Sequence, residues 1–266
     1  MLTILNAESE RANAVDSNKT LFIEFACGPD SELGNQGHKH GFEVMRCTLA
    51  DGDLSQPLEK GMLRILDKIA SYKGALVLHG ALPCTPWSQI QRLNEHVHGP
   101  SFTEKLKRSQ KKSPRMVRNV LQRAKSVIQR EGLVSFEWPP TAGGWNEDIV
   151  LKMVERFGLK VEFRGCAVGV KARNGEPMKK PFAIATNNPD LANILKTKQC
   201  YCTRPHVPCE GAETTRSGHY TPEMATTILK GHKKGIVRRI AETSRAGNEA
   251  TLAEIANLPR KKSKHF

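Results

Sequence analysis

Cys84 lies in the segment of this chain whose residue types are best suited to covalent chemistry, residues 80–88 with the sequence GALPCTPWS. The segment directly follows the apolar run at residues 75–78 (ALVL), which predicts a buried strand of a parallel sheet. Open α/β sheets place their chemistry just beyond the carboxyl ends of such strands. A thiol at this position is a candidate nucleophile, and the alternative is a small buried residue in a structural turn.

Two other segments also place chemically useful residues at the end of an apolar run. Residues 21–26 (LFIEFA) predict a strand, and the turn beyond it ends at Ser31, whose hydroxyl would cap a short helix. Residues 134–138 (VSFEW) predict another strand, which carries Glu137 near its end. Because parallel strands end at the same edge of a sheet, we expect Cys84, Glu137 and the first turn to lie together.

A concentration of thiols near residue 200 indicates a metal site. Three cysteines and one histidine lie within ten residues: Cys200, Cys202, His206 and Cys209. Ligands of this kind and number suit a tetrahedral, structural zinc ion. The spacing is not a common pairing of Cys-x2-Cys units, so a reduced loop and a site that includes His219 are alternatives. Three of the other thiols are predicted to be small buried residues: Cys27, Cys47 and Cys166.

The charge of the chain indicates a polyanionic partner. Its 266 residues include 41 lysines and arginines against 27 aspartates and glutamates, a net charge of +14. Such an excess is typical of proteins that bind nucleic acid, DNA or RNA, although a chain that is basic throughout without a shaped site would show it too. The basic residues form two clusters, and the smaller one covers residues 260–264. The larger cluster comprises ten residues between Glu104 and Glu131: Lys105, Lys107, Arg108, Lys111, Lys112, Arg115, Arg118, Arg123, Lys125 and Arg130.

Hydropathy and cysteine content argue against a membrane or secreted protein. Hydrophobic residues make up 38% of the chain, and no apolar run approaches the roughly 20 residues of a membrane span. The first residues lack the basic start of a signal peptide. Seven cysteines, an odd number, favour free thiols, metal binding or catalysis over a disulfide framework. We therefore expect an intracellular protein, nuclear or cytoplasmic, with no membrane partner.

Strands and helices alternate along the first two thirds of the chain, which predicts a doubly wound α/β sheet. Further strands are predicted at residues 42–47, 160–165 and 181–186, and helices at residues 57–72, 117–128 and 147–157. The polar, basic residues 89–113 predict a long loop. The expected organisation is an N-terminal arm (1–19), a sheet domain (20–187), a Cys/His-containing appendage (188–236) with a helix beginning after Thr221, and a basic tail (237–266).

Residues 20–187 resemble the cytosine-5 methyltransferases, a family of S-adenosylmethionine-dependent enzymes. Residues 80–88 are similar to the family's nucleophile loop, Gly-x-Pro-Pro-Cys-Gln-x-Phe-Ser. Residues 25–30 are similar to its cofactor loop, Phe-x-Gly-x-Gly-Gly, with Cys27 and Asp30 at usual glycine positions. Residues 136–139 (FEWP) stand where the family has Glu-Asn-Val, and residues 169–186 loosely resemble its Gly-Val-Pro-Gln-x-Arg region.

The resemblance implies the Rossmann-like doubly wound sheet of a class I methyltransferase that binds S-adenosylmethionine. Cys84 would add to C6 of a cytosine as a partly ionised thiol, helped by a helix N-terminus or basic neighbours, and Glu137 would hold N3. A basic side chain, Arg173 or else Lys179 or Lys180, would hold a phosphate or the base carbonyl. The cofactor residues implied are Phe25, Ala26, Cys27, Gly28, Pro29, Asp30, Ser31 and Pro83, with Asp51 or Asp53 near the ribose or adenine.

The chain departs from the family pattern in ways that leave other hypotheses open. The asparagine after the catalytic glutamate is absent, the usual ribose-binding acid is replaced around residues 47–48, and no separate target-recognition domain is visible. One alternative is therefore a catalytically inactive, methyltransferase-like module that binds nucleic acid, from a virus or mobile element. Another is a methyltransferase with a different target, in which Cys84 is structural.

Overall fold

The computed structural model describes residues 16–57 and 60–256, which form one six-stranded sheet with helices on both faces. The strands are β1 (Asp16–Phe25), β2 (Glu43–Cys47), β3 (Gly74–Gly80), β4 (Leu133–Trp138), β5 (Leu159–Arg164) and β6 (Pro181–Thr186). Their order across the sheet is β2-β1-β3-β4-β6-β5. Strands β1 to β4 are parallel, and β6 lies antiparallel between β4 and β5. The predicted α/β class is confirmed, with a mixed sheet.

Helices cover both faces of the sheet. They are α1 (Glu32–Gly37), α2 (Lys60–Ser71), α3 (Ile90–Gln129), α4 (Asp148–Phe157), α5 (Pro189–Lys196), α6 (Ala212–Arg216) and α7 (Pro222–Ala256). The apolar sides of α2, α3 and α4 pack on one face, and those of α1, α5 and α7 on the other. Within the described ranges, no helix combines the length and the apolar character that a membrane span requires.

The central strands are apolar on both faces because helices bury both. Along β1, Phe22 contributes to one core and Ile23 to the other. Four polar side chains interrupt these apolar strands near their carboxyl ends and are nonetheless buried: Glu24, His79, Ser135 and Glu137. Buried polar groups cost free energy unless they are paired, so this edge of the sheet is where function is expected.

The strand order corrects the expected class I methyltransferase sheet. That sheet has the order 3-2-1-4-5-7-6, which is not the order found here. The difference lies after β2, where the described residues 48–57 and 60–73 contain a short 3-10 helix (Leu49–Asp51) and α2, and β3 follows. The edge beyond β2 therefore carries no further strand in the described part of the chain.

Residues 89–113, predicted as a loop, are helical instead. They belong to α3, which is interrupted at Gly99, where φ is 67° and ψ is −162°. The interruption precedes Pro100, because a proline disfavours the helical conformation in the residue before it. Most side chains of this half of α3 are exposed, so it lacks the apolar stripe by which an amphipathic helix is recognised.

Residues 188–236, predicted as an appendage, are part of the same core as the sheet. α5 and α7 pack against each other and against the second face through residues such as Leu191 and Ile228. α7 begins at Pro222 as predicted, with Thr221 Oγ1 accepting from the Met224 N–H (3.0 Å). It continues to Ala256, well into the predicted tail, and β1 begins inside the predicted arm. Residues 1–15 and the basic cluster at 260–264 lie outside the described residues.

Candidate active site

A cavity of about 570 Å³ opens at the carboxyl ends of β1 and β3. These strands are neighbours, and the sheet extends from them in opposite directions, so the cavity lies at the topological switch point where open α/β sheets bind ligands. Its volume is within the range of small-molecule sites. The lining comprises all of the predicted cofactor loop, residues 25–31, together with Glu24, Glu32, Ala81, Gly218, His219 and Tyr220.

The loop that forms the wall of the cavity leaves β1 through an unusual backbone conformation. Ala26 has a φ of 59°, in the left-handed region that residues with a Cβ seldom adopt. Its N–H donates to Cys47 O at the end of β2, and the Ala81 N–H donates to Phe25 O. Backbone bonds to both neighbouring strands thus hold the turn in place. Observed strain of this kind is often found at ligand sites.

Glu24 supplies a buried carboxyl group at the cavity. The Ser31 hydroxyl donates to its Oε2 (2.6 Å), and Arg46 Nε donates in turn to Ser31 Oγ (3.0 Å). Burial raises the pKa of Glu24, although Ser31 and Arg46 oppose the shift. The other charged side chains of the lining, Asp30 and Glu32, are also acidic, and no lysine or arginine is among the described residues that line the cavity. An acidic cavity in a chain with a net charge of +14 favours a cationic or zwitterionic ligand over a phosphate.

Three predicted cofactor residues lie outside this lining. Asp51 Oδ2 accepts from the Thr48 N–H (2.9 Å), and Asp51 Oδ1 pairs with Arg64. Asp53 accepts from the N–H of Ser55 (2.8 Å), and Pro83 is exposed in the loop after β3. Both carboxylates therefore stabilise local turns, and Glu24 is the acid that the structure places at the cavity.

Glu137 lies near enough to Cys84 for its charge to act on the thiol, and it contacts Tyr220 of the cavity lining. Burial raises the pKa of Cys84, and the charge of nearby Glu137 raises it further. Burial raises the pKa of Glu137 from its ordinary 4.5 to about 7. Its Oε1 is buried without a hydrogen-bond partner among the described residues. The thiol is thus not activated in the isolated protein, contrary to the expectation that a helix end or basic neighbours would lower its pKa.

The basic group near this pair is Lys180 and not Arg173. The charge of Lys180 opposes the rise in pKa of both Cys84 and Glu137. Its Nζ donates to Ser217 O (2.6 Å), which fixes it just before β6. Arg173 is exposed, its N–H donates to Glu213 Oε1 (2.9 Å), and its charge affects neither group. Arg173 is therefore not supported as a catalytic residue.

A chain of buried polar side chains extends from Glu137 into the core. The Tyr220 hydroxyl donates to Glu137 Oε2 (3.3 Å) and lies 3.0 Å from His79 Nε2. His79 Nδ1 lies 2.8 Å from Ser135 Oγ, which lies 2.9 Å from His232 Nε2. No local sequence pattern connects Tyr220, His79 and His232 with Glu137. A histidine within the apolar run of β3 was the available signal for His79.

A separate group of side chains could hold a metal ion such as zinc. The ligand atoms of Cys166, Cys200, Cys202 and His206 all lie within 4.8 Å of one another. Cys200 Sγ and His206 Nε2 are 3.3 Å apart, close to the roughly 3.5 Å between sulfur and nitrogen ligands on a tetrahedral zinc ion. Three thiols and one imidazole are also a ligand set typical of structural zinc.

The residues of this group differ from the predicted zinc ligands at one position. Cys209 is not a member, and its Sγ contacts Ser217 Oγ (3.2 Å). Cys166 takes its place from the 3-10 helix that follows β5 (Gly165–Val168), although it was predicted to be a small buried residue. His219, the alternative ligand, lines the cavity instead. Local spacing could not identify Cys166, because only the fold brings it to residues 200–206.

The basic residues of the 104–131 segment lie on the second half of α3 and just beyond it. Arg123 is fully buried, and Arg130 donates to the backbone carbonyls of Ile69 and Tyr72. The other eight side chains are exposed. Among them Lys107, Lys111 and Arg118 are spaced by four and seven residues, so they lie on one side of the helix. This basic side of α3 is a candidate nucleic-acid surface.

No family model, no curated protein and no solved structure matches this chain. Its function must therefore be inferred from the cavity, the Cys84–Glu137 pair, the Cys/His group and the basic side of α3.

Proposed function

We propose that the protein is an S-adenosylmethionine-dependent nucleic-acid methyltransferase that uses Cys84 to methylate cytosine at C5. The observation that carries this proposal is the position of the Cys84–Glu137 pair beside an acidic cavity at the switch point of the sheet. A thiol and a carboxyl group with a pKa near 7 are the two groups that covalent activation of a pyrimidine requires.

The charge of the cavity supports this cofactor. S-adenosylmethionine carries a sulfonium and an ammonium group, which Glu24, Asp30 and Glu32 would attract. A nucleotide would instead require cations or convergent N–H donors for its phosphates, and the described lining has no lysine or arginine. The cavity also lacks an acid at the end of β2, so the adenosine would be held without the usual ribose-binding carboxylate.

The strand order is compatible with a reduced form of the methyltransferase sheet. If the third strand is removed from the order 3-2-1-4-5-7-6 and the rest are renumbered, the result is 2-1-3-4-6-5, the order found here. In this correspondence β1, β3 and β4 carry the cofactor loop, the nucleophile and the glutamate in the places that the sequence resemblance assigns to them.

The residues of the pair have complementary roles in the proposed reaction. The Cys84 sulfur forms a bond to C6 of the cytosine, and Glu137 donates a proton or hydrogen bond to N3, where the electron pair accumulates. The cofactor would supply the methyl group to C5 by breakage of its sulfonium S–CH3 bond, which leaves the neutral demethylated thioether. Transfer of the C5 proton to solvent then expels the Cys84 thiolate, returns the N3 proton to Glu137 and restores the aromatic ring. In a duplex the base must first leave the stack.

Protonation of Glu137 removes one of the two causes that raise the pKa of Cys84, while burial, the larger cause, remains. The negative charge of Glu137 raises the pKa of Cys84, so protonation of Glu137 lowers it again. Glu137 with a pKa of about 7 is substantially protonated at neutral pH. A protonated Glu137 beside an ionised Cys84 is the combination that addition to C6 requires, and Lys180 stabilises the thiolate.

Two measurements test the catalytic proposal. Calorimetry should detect binding of S-adenosylmethionine and of its demethylated product, and Glu24→Gln should weaken both. An oligonucleotide with 5-fluorocytosine should trap a covalent adduct in the presence of the cofactor, because C5 then has no proton to lose. Absence of binding at millimolar concentration would contradict the proposal, as would cofactor binding with no adduct at Cys84.

The same experiments distinguish a second candidate function, that of an inactive module that binds nucleic acid. The raised pKa of Cys84 and the positions of Asp51 and Asp53 outside the cavity favour this alternative. It predicts nucleic-acid binding without cofactor binding.

The basic side of α3 is proposed as the nucleic-acid surface under either function. Reversal of charge at Lys107, Lys111 and Arg118 should reduce the slope of log affinity against log salt by up to about three, because phosphate contacts release counterions. The control variant reverses three exposed lysines on other helices, Lys152, Lys196 and Lys230, which changes the net charge equally. Equal slopes for the two variants would refute this assignment.

We also propose that one zinc ion fills the Cys/His group. Cys166 follows β5, whereas the other three ligands belong to the segment between α5 and α6, so the ion would fasten that segment to the sheet. The segment leads to Gly218, His219 and Tyr220 at the cavity. Metal analysis of the purified protein should find one zinc per chain.

A further inference from the structure

The buried chain His232–Ser135–His79–Tyr220 ends on one oxygen of Glu137 and leaves the other oxygen without a partner. Tyr220 contacts Oε2, whereas Oε1 is buried and unpaired among the described residues. His79, Ser135 and His232 are fully buried. A network of this kind fixes the orientation of its members, because each buried polar group depends on the next one for its hydrogen bond.

We propose that this chain is a positioning device that holds Glu137 by Oε2 and presents Oε1 to the base. The inference deepens the proposed function and rests on it, since it assigns the oxygen that faces N3 of the cytosine. Tyr220, His79, Ser135 and His232 are positioning residues and do not touch the substrate.

The protons of the chain can be aligned in only two ways. Burial lowers the pKa of both His79 and His232 to about 3, so both rings are neutral and each carries one N–H. In the first alignment every donor points toward Glu137, and the Tyr220 hydroxyl donates to Oε2. In the second, every donor points away, and protonated Glu137 donates to Tyr220 from Oε2.

The inner end of the chain selects the first alignment. His232 Nδ1 is buried without a partner among the described residues, and the ring lies edge-on to Phe22 at 6.0 Å between centroids. The second alignment would leave an N–H at this position, and buried N–H groups without an acceptor are very rare. In the first alignment the proton of Glu137, when present, must be on Oε1. The chain therefore orients the carboxyl group.

Other charged groups around Glu137 leave this role to the chain. Lys180, before β6, acts on Glu137 through charge. Glu24 on β1 and Cys84 after β3 act through charge on Tyr220. The Tyr220 hydroxyl is the hydrogen-bond donor to the carboxyl group in the described part of the chain.

Carbon-13 NMR of protein labelled at glutamate Cδ tests the inference without cofactor or substrate, with Glu137→Gln identifying the resonance. Tyr220→Phe keeps the ring and removes the donor to the carboxylate, so the pKa of Glu137 should rise by about one unit. Ser135→Ala, which interrupts the chain behind Tyr220, should raise it by a smaller but measurable amount. Thr186→Val is the matched control, because the buried Thr186 hydroxyl donates to Val134 O outside the chain (2.6 Å).

The outcomes separate the inference from the proposed function. A Glu137 pKa unchanged in Tyr220→Phe, or a Ser135→Ala variant that titrates like Thr186→Val, would overturn the positioning role. If the wild-type protein transfers methyl groups, the basic limb of its pH–rate profile should move upward in the same variants by the same amounts. If it transfers none, the proposed function fails, whereas the NMR result still decides how Glu137 is held.

Discussion

Cys84 and Cys200 lie in opposite environments in this molecule. Cys84 is half-buried beside Glu137, and burial together with the carboxylate's charge raises its pKa. Cys200 lies near the surface with Cys166, Cys202 and His206, and a hydrogen bond from the Cys202 backbone N–H is the main cause of its lowered pKa. The fold thus keeps one thiol protonated and favours ionisation of another.

The opposite pKa shifts of Cys84 and Cys200 indicate what each site is suited to do. A metal ligand must lose its proton as soon as a cation is present and then remain ionised. A thiol that stays protonated is protected from oxidation and alkylation, because those reactions require the thiolate.

The largest effect is expected for Cys84→Ser. Methyl transfer should fall by on the order of 10⁴-fold or more, because a serine hydroxyl is a far weaker nucleophile than a thiolate. Cofactor affinity should not change, since Cys84 does not line the cavity. Transfer assays with labelled cofactor measure the loss of transfer and calorimetry measures the affinity, with Cys209→Ser as the control. Wild-type transfer by Cys84→Ser would make Cys84 a packing residue.

The next largest effect is expected at the Cys/His group. Cys166→Ser should weaken zinc binding by at least about 10²-fold and lower the unfolding midpoint, because it removes one of four ligands. Cys209→Ser should keep full zinc content. Metal analysis after dialysis against a chelator, with thermal unfolding, compares the two. If Cys209→Ser lost the ion and Cys166→Ser kept it, the ligand set suggested by sequence spacing would be right.

The pH dependence of stability should differ between the wild type and Glu137→Gln. The folded-state pKa of about 7 lies above the ordinary 4.5, so stabilisation by the neutral carboxyl is complete below pH 4.5 and is lost as the pH rises through 7. The unfolding free energy of the wild type should therefore fall by about 3 kcal/mol more than that of the variant across this interval. Denaturant unfolding at several pH values measures it, and parallel curves would mean that Glu137 is not buried as a neutral group.

The smallest effect is expected in thiol reactivity. In metal-free protein, iodoacetamide should modify Cys200 before Cys84, and zinc should reverse the order. Glu137→Gln should speed alkylation of Cys84 by up to about tenfold, because the neighbouring charge that raises its pKa is gone. Mass spectrometry of timed digests gives both rates. No acceleration in Glu137→Gln would show that burial alone sets the reactivity of Cys84.

The sequence was sufficient to predict the elements whose side chains are buried. The apolar runs of β3 and β4 are too short for buried helices, and the 3.6-residue periodicity of α2 and α4 is that of one helix face. The first half of α3 could not be predicted in the same way, because its exposure removes the periodicity. The absence of a strand beyond β2 could not be predicted, because the resemblance rests on short motifs at strand ends and these do not give the number of strands.

The residues of the candidate site also fall into those with a local sequence signal and those that only the fold brings together. Residues 25–31, Cys84 and Glu137 could be picked out in the sequence because each lies at or just beyond the end of an apolar strand. Three other residues meet their partners only through the fold. Lys180 precedes β6, Tyr220 precedes α7, and Cys166 meets ligands from the segment between α5 and α6, so no local spacing connects them to their partners. Asp51 and Asp53 had suitable chemistry, but turn formation uses both carboxylates.

The left-handed conformation of Ala26 has a consequence for how the cavity meets its ligand. An alanine at a φ of 59° costs on the order of 1 kcal/mol relative to glycine, yet it samples far fewer alternative conformations. The rim of the cavity is therefore stiff before any ligand arrives, and little chain entropy remains to be lost on association. A ligand would therefore bind to a preorganised rim, and its association rate would be set by diffusion and charge and not by folding of the loop.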